Sequence, residues 1–251
     1  MKPGALNLRG IYDVPLFPVR GRKANISTSR NVPLSQPPMP GVRPIGQARQ
    51  GQESQPGAAQ MKILVACEYS GRVREAFRAL GHDALSADFE PAEDNSPYHV
   101  QGDVLPMLRE SWDLVIAHPP CTRLCNSGVR WLAERNLWDE MREGAEFFLA
   151  CLNANAHRVA VENPVMHGHA RRIIGRGPDF TVQPWQFGDN FKKRTAFWTR
   201  GLPPLKPTSD LDGKSAVAEV HNASPGPNRW KERSRTYPGL ARALAAQWGS
   251  L

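Results

Sequence analysis

The chain has 251 residues, of which 40% are apolar, and a formal net charge of +8. This length and apolar content are enough for a hydrophobic core, and no stretch approaches the roughly 18 continuous apolar residues of a membrane span. The four cysteines are too sparse for a disulfide scaffold and the N-terminus lacks an apolar signal core, so we expect a cytoplasmic protein rather than a secreted one.

Residues 1–60 differ in composition from the rest of the chain. They contain nine prolines, seven glycines and eight Lys/Arg against two Asp/Glu, without a sustained hydrophobic period. This composition predicts a disordered basic tail that supplies +6 of the net charge and leaves +2 for residues 61–251. Such a tail can hold DNA non-specifically, although the simpler interpretation is that nothing in it binds specifically. Because Met61 opens an apolar strand directly, it is a candidate start codon, with the tail an upstream extension.

From residue 61, strand-like and helix-like segments alternate, which predicts an α/β fold with a parallel sheet. The first helix follows Ser70-Gly71, has Val73, Phe77 and Leu80 on one side, and stops at Gly81. Later helices are predicted at residues 137–153, 167–177 and 239–249. Strands are predicted at residues 62–67, 84–87, 113–117, 158–162, 180–187 and 194–199, with a loop-rich stretch at 202–230.

Polar residues follow the predicted strands at the points where ligands bind to open parallel sheets. These residues are Glu68, Asp88, Asp103, His118 to Cys121, and Glu162. The turn at Gly71 and the helix after it are placed to present backbone N–H groups to a ligand. Asp88, seventeen residues further on, is placed to bind a ribose hydroxyl. A turn glycine and a surface aspartate also have ordinary structural roles.

Pro119-Pro120-Cys121 forms a rigid loop, because two successive prolines fix the backbone and remove N–H donors. A cysteine held there can attack an electrophilic carbon if its pKa is lowered by a helix N-terminus or by a cation such as Arg123 or Arg130. An inert buried cysteine is the alternative. A zinc site of His118, Cys121 and Cys125 is less favoured because the local spacing offers no fourth ligand.

Glu162-Asn163-Pro164 ends another apolar strand. We expect burial to raise the pKa of Glu162, so that its carboxyl donates a proton or a hydrogen bond to a ring nitrogen. The alternative is a glutamate that caps the next segment.

In this order the motifs resemble those of the DNA cytosine-5 methyltransferase family, over most of residues 61–251. Pro119-Pro120-Cys121 is similar to the family's nucleophile motif, and Glu162-Asn163 to the pair that holds the target cytosine. Weaker similarities are Val65–Gly71 to the cofactor loop, Asp88 to the ribose-binding acid, Gly102-Asp103-Val104 to the adenine-contacting segment, and residues 192–197 to the basic strand. Departures are the single glycine of the cofactor loop, Thr122, Pro164 and the incomplete arginine pair of the basic strand.

The resemblance implies a Rossmann-like sheet that binds S-adenosylmethionine. Cys121 would add to C6 of cytosine while Glu162 holds the N3 and amino edge, and C5 would take the methyl group. Residues expected to bind the cofactor are Glu68, Gly71, Asp88, Asp103 and Pro119. Residues expected to contact nucleic acid are Arg123, Arg130, Asn163, Lys192 and Arg194, with Lys193 beside them.

A short irregular recognition segment, residues 166–230, implies a small DNA target or a free pyrimidine nucleotide as substrate. An amino-group methyltransferase is a rival, although His118 and Cys121 fit its polar and aromatic positions poorly. A nucleic-acid-binding relative without turnover is the second rival, and the single-glycine loop favours it.

Overall fold

The computed structural model describes residues 59–218 and 229–251. The predicted tail therefore lies outside the described residues, apart from Ala59 and Gln60, as does part of the predicted recognition segment. The predicted α/β fold is confirmed, with one central sheet covered by helices on both faces.

The sheet has seven strands in the order β3-β2-β1-β4-β5-β7-β6. They are β1 (Lys62–Ala66), β2 (Asp83–Asp88), β3 (His99–Gln101), β4 (Trp112–Ala117), β5 (Ala156–Asn163), β6 (Phe180–Val182) and β7 (Thr195–Arg200). The first five strands pair in parallel, whereas β7 runs antiparallel to both β5 and β6. The sheet is therefore mixed, not wholly parallel as the sequence pattern predicted.

The helices are α1 (Arg72–Arg78), α2 (Arg130–Glu134), α3 (Trp138–Leu152), α4 (Gly168–Ile174), α5 (Arg229–Ser234) and α6 (Pro238–Trp248). The sequence pattern did not predict α2 and α5. Leu80 was expected on the same side of this helix as Val73 and Phe77, but α1 ends at Arg78 and Leu80 is 54% exposed. The strand predicted at 180–187 stops at Val182, because Pro184 lacks an N–H for the ladder and begins a short 3₁₀ turn.

Alternating residues of each strand supply two hydrophobic layers. Leu64 and Ala66 pack with α3 and α4 on one face, whereas Ile63 and Val65 pack with α1 and α6 on the other. This arrangement is a Rossmann-like three-layer fold. No helix among residues 59–218 and 229–251 is long and apolar enough to cross a lipid bilayer.

Candidate active site

The candidate site lies at the carboxyl edge of β1, β2, β4 and β5. The chain moves outward from β1 to β2 and β3 and then returns to β4 on the other side of β1, so the strand order reverses between β1 and β4. Crevices at such reversal points are where open α/β sheets bind ligands. Because β7 is antiparallel, it begins at this same edge and brings the preceding basic segment, residues 192–194, to the site.

Glu162 and His118 form a buried pair across β4 and β5. The register pairs Ala117 with Val161, so His118, which follows the end of β4, and Glu162 of β5 lie side by side. Nδ1 of His118 lies 3.1 Å from Oε2 of Glu162, and the two side chains are only 9% and 14% exposed. The sequence analysis placed His118 at this edge of the sheet, as a candidate zinc ligand or the polar residue of an amino-group methyltransferase, but did not pair it with Glu162.

The ionisation of Glu162 differs from the prediction. Burial does act to raise the pKa of this carboxyl, but the hydrogen bond from His118 and the charges of Lys193 and His118 outweigh it, and the pKa is lowered. The predicted raised pKa is therefore wrong, because the sequence showed the burial but not the partners. Glu162 is a carboxylate that accepts hydrogen bonds at neutral pH.

Cys121 lies half-buried in the loop that follows β4. Its carbonyl accepts hydrogen bonds from the N–H groups of Leu124 and Cys125, which closes one tight turn after the two prolines. Its thiol is hydrogen-bonded to Cys125, and this bond, together with burial and the charges of Cys125 and Glu162, raises its pKa well above the usual value.

The predicted activation of Cys121 by arginine is not what the structure shows. The Arg123 guanidinium binds Glu140, with Nε 2.8 Å from Oε2, and Arg130 lies over the Trp131 ring at 4.2 Å. The anionic member of the cysteine pair is instead Cys125. The thiol of Cys121, the Ser127 hydroxyl at 3.1 Å and two backbone N–H groups surround the Cys125 sulfur and lower its pKa to about 5.

The predicted zinc set does not form as a cluster. His118 is engaged with Glu162, whereas Cys125 bonds to Ser127. Within the part of the chain that the structure describes, no group of three or more His, Cys, Asp or Glu side chains is arranged to hold a metal ion.

The first predicted cofactor residue, Glu68, is used by the protein itself. Its buried carboxylate accepts the backbone N–H groups of Val73, at 2.7 Å, and Arg74, at 3.2 Å. Burial raises the pKa of Glu68, and the nearby charge of His118 opposes this. These two helix N–H groups are therefore occupied, so the expectation that they face a ligand is wrong. Gly71 remains at the turn, with a left-handed φ of 69°.

Asp88 is the last residue of β2 and is 6% exposed. Its Oδ1 accepts the N–H of Glu90 at 3.0 Å, and burial raises its pKa to about 6. Since backbone donors do not offset the burial of the carboxyl, further hydrogen-bond donors, such as the hydroxyl groups of a ligand, would stabilise its ionised form. Asp103 differs, because it is exposed and its Oδ1 accepts the N–H of Leu105.

Pro119 and Asn163 are both buried. The Asn163 amide donates to the carbonyl of Pro119 at 3.5 Å and so ties the end of β5 to the cysteine loop. Asn163 is 0% exposed, and its buried Oδ1 has no hydrogen-bond partner among the described residues. Its contact with nucleic acid stays a prediction, and in the structure its amide N–H group holds the cysteine loop.

The three basic residues before β7 have different positions. The Lys192 ammonium donates to the carbonyl of Lys214 at 3.3 Å, and that of Lys193 donates to the carbonyl of Arg235 at 3.2 Å. Arg194 is exposed. Only Lys193 among these three lines the cavity beside Glu162, so it is the cation that the structure brings into the site.

A cavity lies next to the His118–Glu162 pair. The volume in which the centre of a water molecule can move is about 10 Å³, which is room for roughly one water molecule. A pyrimidine ring needs more space than this, so its entry requires movement of the wall. The cavity is lined by His118, Glu162, Lys193, Thr195, Phe197, Thr236, Tyr237, Leu240 and Leu244.

Residues 229–237, which include α5, cross over the loops that follow β1 and β2. The Tyr69 hydroxyl donates to the carbonyl of Lys231 at 2.6 Å, and the Lys231 ammonium pairs with Glu90 at 2.6 Å. Arg235 pairs with Glu93 close by. This segment therefore borders both the expected cofactor loops and the cavity, which no local sequence pattern indicated.

No protein-family model and no curated protein matches the chain. Similar solved structures include a proposed DNA modification methyltransferase encoded within a prophage (E. coli), at 15% identity over 55% of this chain and 45% of that chain, with a TM-score of 0.39. Another is Entamoeba histolytica methyltransferase EhMeth, at 15% identity over 68% of this chain and 62% of that chain, with a TM-score of 0.41. A third is a TehB-like SAM-dependent methyltransferase from Corynebacterium glutamicum, at 21% identity over 50% of this chain and 70% of that chain, with a TM-score of 0.30. The match spans less than two thirds of the first two proteins.

Proposed function

We propose that the chain transfers a methyl group from S-adenosylmethionine to C5 of cytosine in DNA, with Cys121 as the covalent nucleophile. The observation that carries this proposal is the convergence of Cys121 and Glu162 at the ends of two neighbouring strands, where the charges of Glu162 and Lys193 act on the thiol. Activation of C5 needs a nucleophile at C6 and a polar group at the N3 and amino edge of the same ring. These two residues supply both.

The sequence of steps follows from the groups at the site. Cys121 passes its proton to the Cys125 thiolate as its sulfur bonds to C6, and electron density moves into the ring while Glu162 accepts a hydrogen bond from the amino group. S-adenosylmethionine supplies an electrophilic methyl group to C5. A water molecule takes the C5 proton, and the C5–H electron pair forms the C5–C6 double bond as the C6–S bond to Cys121 breaks. The released Cys121 thiolate then recovers its proton from Cys125, and the methyl donor leaves as S-adenosylhomocysteine.

The residues that would hold the cofactor fit its chemistry. Asp88 is a buried acid with a raised pKa, which hydroxyl donors on a ribose would satisfy. The turn at Gly71 and the loop at Asp103 and Pro119 border the same edge of the sheet. We place the nucleoside part of the cofactor there and the methyl acceptor between Cys121 and Glu162.

A free pyrimidine nucleotide is the second candidate substrate. It is favoured by the enclosure of the cavity, which Thr236, Tyr237 and α6 close from the side opposite the sheet. DNA requires that the base be flipped out of the duplex and that this wall move to admit it. The reaction at the ring is the same for both substrates.

The test uses two reactions, each with the full chain and tritiated S-adenosylmethionine. One contains cytosine-containing DNA and the other contains dCMP, and the labelled nucleoside is identified in each. Label at C5 supports the proposal, whereas label on the amino nitrogen identifies the rival enzyme class. Cofactor binding without transfer to either substrate points to the non-catalytic relative. Cys121→Ser should abolish transfer and keep cofactor binding, whereas Cys151→Ala, at a buried cysteine in α3, should keep both.

A further inference from the structure

His118 is a polar residue at a position where the strand pattern would otherwise place an apolar one. Leu114 and Ile116, which lie four and two residues before His118 on the same face of β4, are fully buried in the core beneath α1 and α6. The side chain of His118 continues this face and is 9% exposed. Packing against apolar neighbours does not explain an imidazole at this position, but the contacts of its ring nitrogens at the site do.

The imidazole is bonded on one side only. Nδ1 lies 3.1 Å from Glu162, whereas Nε2 is buried and has no hydrogen-bond partner among the described residues. A buried polar atom without a partner costs stability and is uncommon in folded proteins. The His118 ring also lines the cavity, so a molecule that binds there would be placed to form a hydrogen bond with Nε2.

The carboxylate of Glu162 depends on this bond for its orientation. The His118 contact is the sole side-chain hydrogen bond that the described residues make to Glu162, and it occupies Oε2. Oε1 is thereby left for a ligand. Charged or titratable groups that interact with the pair are Glu68 from the loop after β1, Cys121 from the loop after β4, and Lys193 from the segment before β7. Tyr237 lines the same cavity.

We propose that His118 is a positioning residue that selects an amino-bearing pyrimidine: its Nδ1–H holds Oε2 of Glu162, so that Oε1 accepts a hydrogen bond from the 4-amino group of the ring. A 4-oxo ring would place a second acceptor against Oε1 and is rejected. This inference rests on the proposed function, which supplies the ring edge that Glu162 binds; it adds His118 as the residue that orients the carboxylate toward that edge.

The test compares wild type with His118→Ala and His118→Gln on cytosine and uracil forms of the substrate. We expect kcat on cytosine to fall by about 10- to 100-fold in His118→Ala, with KM for S-adenosylmethionine unchanged. The preference for cytosine over uracil falls with it. Imidazole added to His118→Ala should restore part of the rate, and His118→Gln, which keeps an N–H donor, should lie between the two.

A pH profile separates positioning from a structural role. In wild type the carboxyl of Glu162 is ionised throughout pH 5 to 8. Loss of His118 leaves burial opposed by Lys193 alone, so the pKa of Glu162 rises and activity falls at the acidic end. His82→Leu is the matched control, because His82 is also buried and accepts the N–H of Met61 far from the site. It should leave kcat and the pH profile unchanged.

The pKa of Glu162 can also be followed by carboxyl ¹³C NMR, without turnover. A rise in His118→Ala, or a smaller rise in His118→Gln if the alanine variant does not fold, supports the inference. An unchanged Glu162 titration overturns it, as does an active His118→Ala enzyme that behaves like His82→Leu. Absence of methyl transfer by wild type on every pyrimidine refutes the proposed function instead, and the NMR result still decides the role of His118.

Discussion

Asp88 offers a direct test of where the cofactor binds. Its pKa is raised to about 6 because the folded chain buries its carboxyl. A ligand that donates hydroxyl hydrogen bonds stabilises the ionised form and lowers that pKa, so binding releases a proton near pH 6. We predict that affinity for S-adenosylmethionine increases as pH rises from 5 to 7 and then levels off. Calorimetry in two buffers of different ionisation enthalpy at pH 6 measures the proton release.

Asp88→Asn is the variant that checks this assignment. It should bind the cofactor more weakly at pH 7 and lose the pH dependence. A raised pKa in the folded state means that the folded chain binds more protons, so the contribution of Asp88 to stability is present below pH 4 and is lost as pH rises through 6. Asp88→Asn should therefore unfold at higher urea than wild type at pH 8 but not at pH 4. A wild-type pH dependence in the variant contradicts the assignment.

Cys121 and Cys125, in the loop after β4, titrate as a pair. Cys125 is the anionic partner, and its hydrogen bond and charge raise the pKa of Cys121. We predict that Cys125→Ser lowers the pKa of the Cys121 thiol, because a neutral hydroxyl replaces a thiolate. Alkylation of Cys121 by iodoacetamide, followed by mass spectrometry between pH 5 and 10, measures this.

The same variant should be slower in methyl transfer, since the acceptor for the Cys121 proton is gone. Cys151→Ala controls for the loss of a buried cysteine, because Cys151 is buried in α3 and is not part of the cysteine pair. Faster alkylation together with slower transfer is the expected combination. An unchanged Cys121 profile would mean that the two sulfurs do not share a proton.

At the scale of elements, the turn between β1 and α1 is held by close packing as well as by backbone conformation. A Cβ at Gly71 would lie 2.2 Å from the Arg74 guanidinium and 2.8 Å from the Asp94 carboxylate. Arg74 is 0% exposed and fixed by Ser86 at 2.7 Å, so it has no free direction in which to move. The turn therefore needs glycine for two separate reasons.

We predict that Gly71→Ala lowers the free energy of unfolding by about 2 kcal/mol or more, because it combines a left-handed φ with a clash against the buried guanidinium of Arg74. Gly81→Ala is the matched control. Gly81 also has a positive φ, 87°, but a Cβ there meets nothing within 4 Å. It should cost about 1 kcal/mol. Urea unfolding of both variants gives the difference in the free energy of unfolding. Equal decreases in the two variants would show that the Arg74 side chain moves away from the new Cβ without loss of stability.

The helices and strands also show which features of the fold and the site could be predicted from the sequence. Strand ends at Asp88, His118 and Glu162 were predictable, because apolar runs and polar stops report burial along a single strand. Contacts between strands were not, since they depend on register and strand order. The His118–Glu162 bond lowered a pKa that burial alone would raise, and the antiparallel β7 put Lys193 beside them. The capping by Glu68 and the crossing of residues 229–237 likewise join distant parts of the chain.

At the scale of the molecule, charge is unevenly distributed along the sequence. Residues 1–60 supply +6 of the net +8, and residues 61–251 carry 24 Lys/Arg against 22 Asp/Glu. Many basic side chains of the described region are already engaged, as Arg123 with Glu140 and Lys231 with Glu90 show. Non-specific attraction to DNA should therefore come mainly from the N-terminal residues.

Full-length protein in which the eight Lys/Arg of residues 1–60 are replaced by Gln tests this distribution. Each neutralised phosphate contributes about 0.9 to the slope of log affinity against log salt, so the slope for duplex DNA should fall by as much as about 7. The melting temperature should stay within about 2 °C, because the two hydrophobic layers that cover the sheet are built from side chains between Met61 and Trp248. Fluorescence anisotropy between 50 and 300 mM salt gives the slope. A slope equal to that of wild type would place the phosphate contacts on residues 61–251, with Arg130 and Arg194 as the first candidates for substitution.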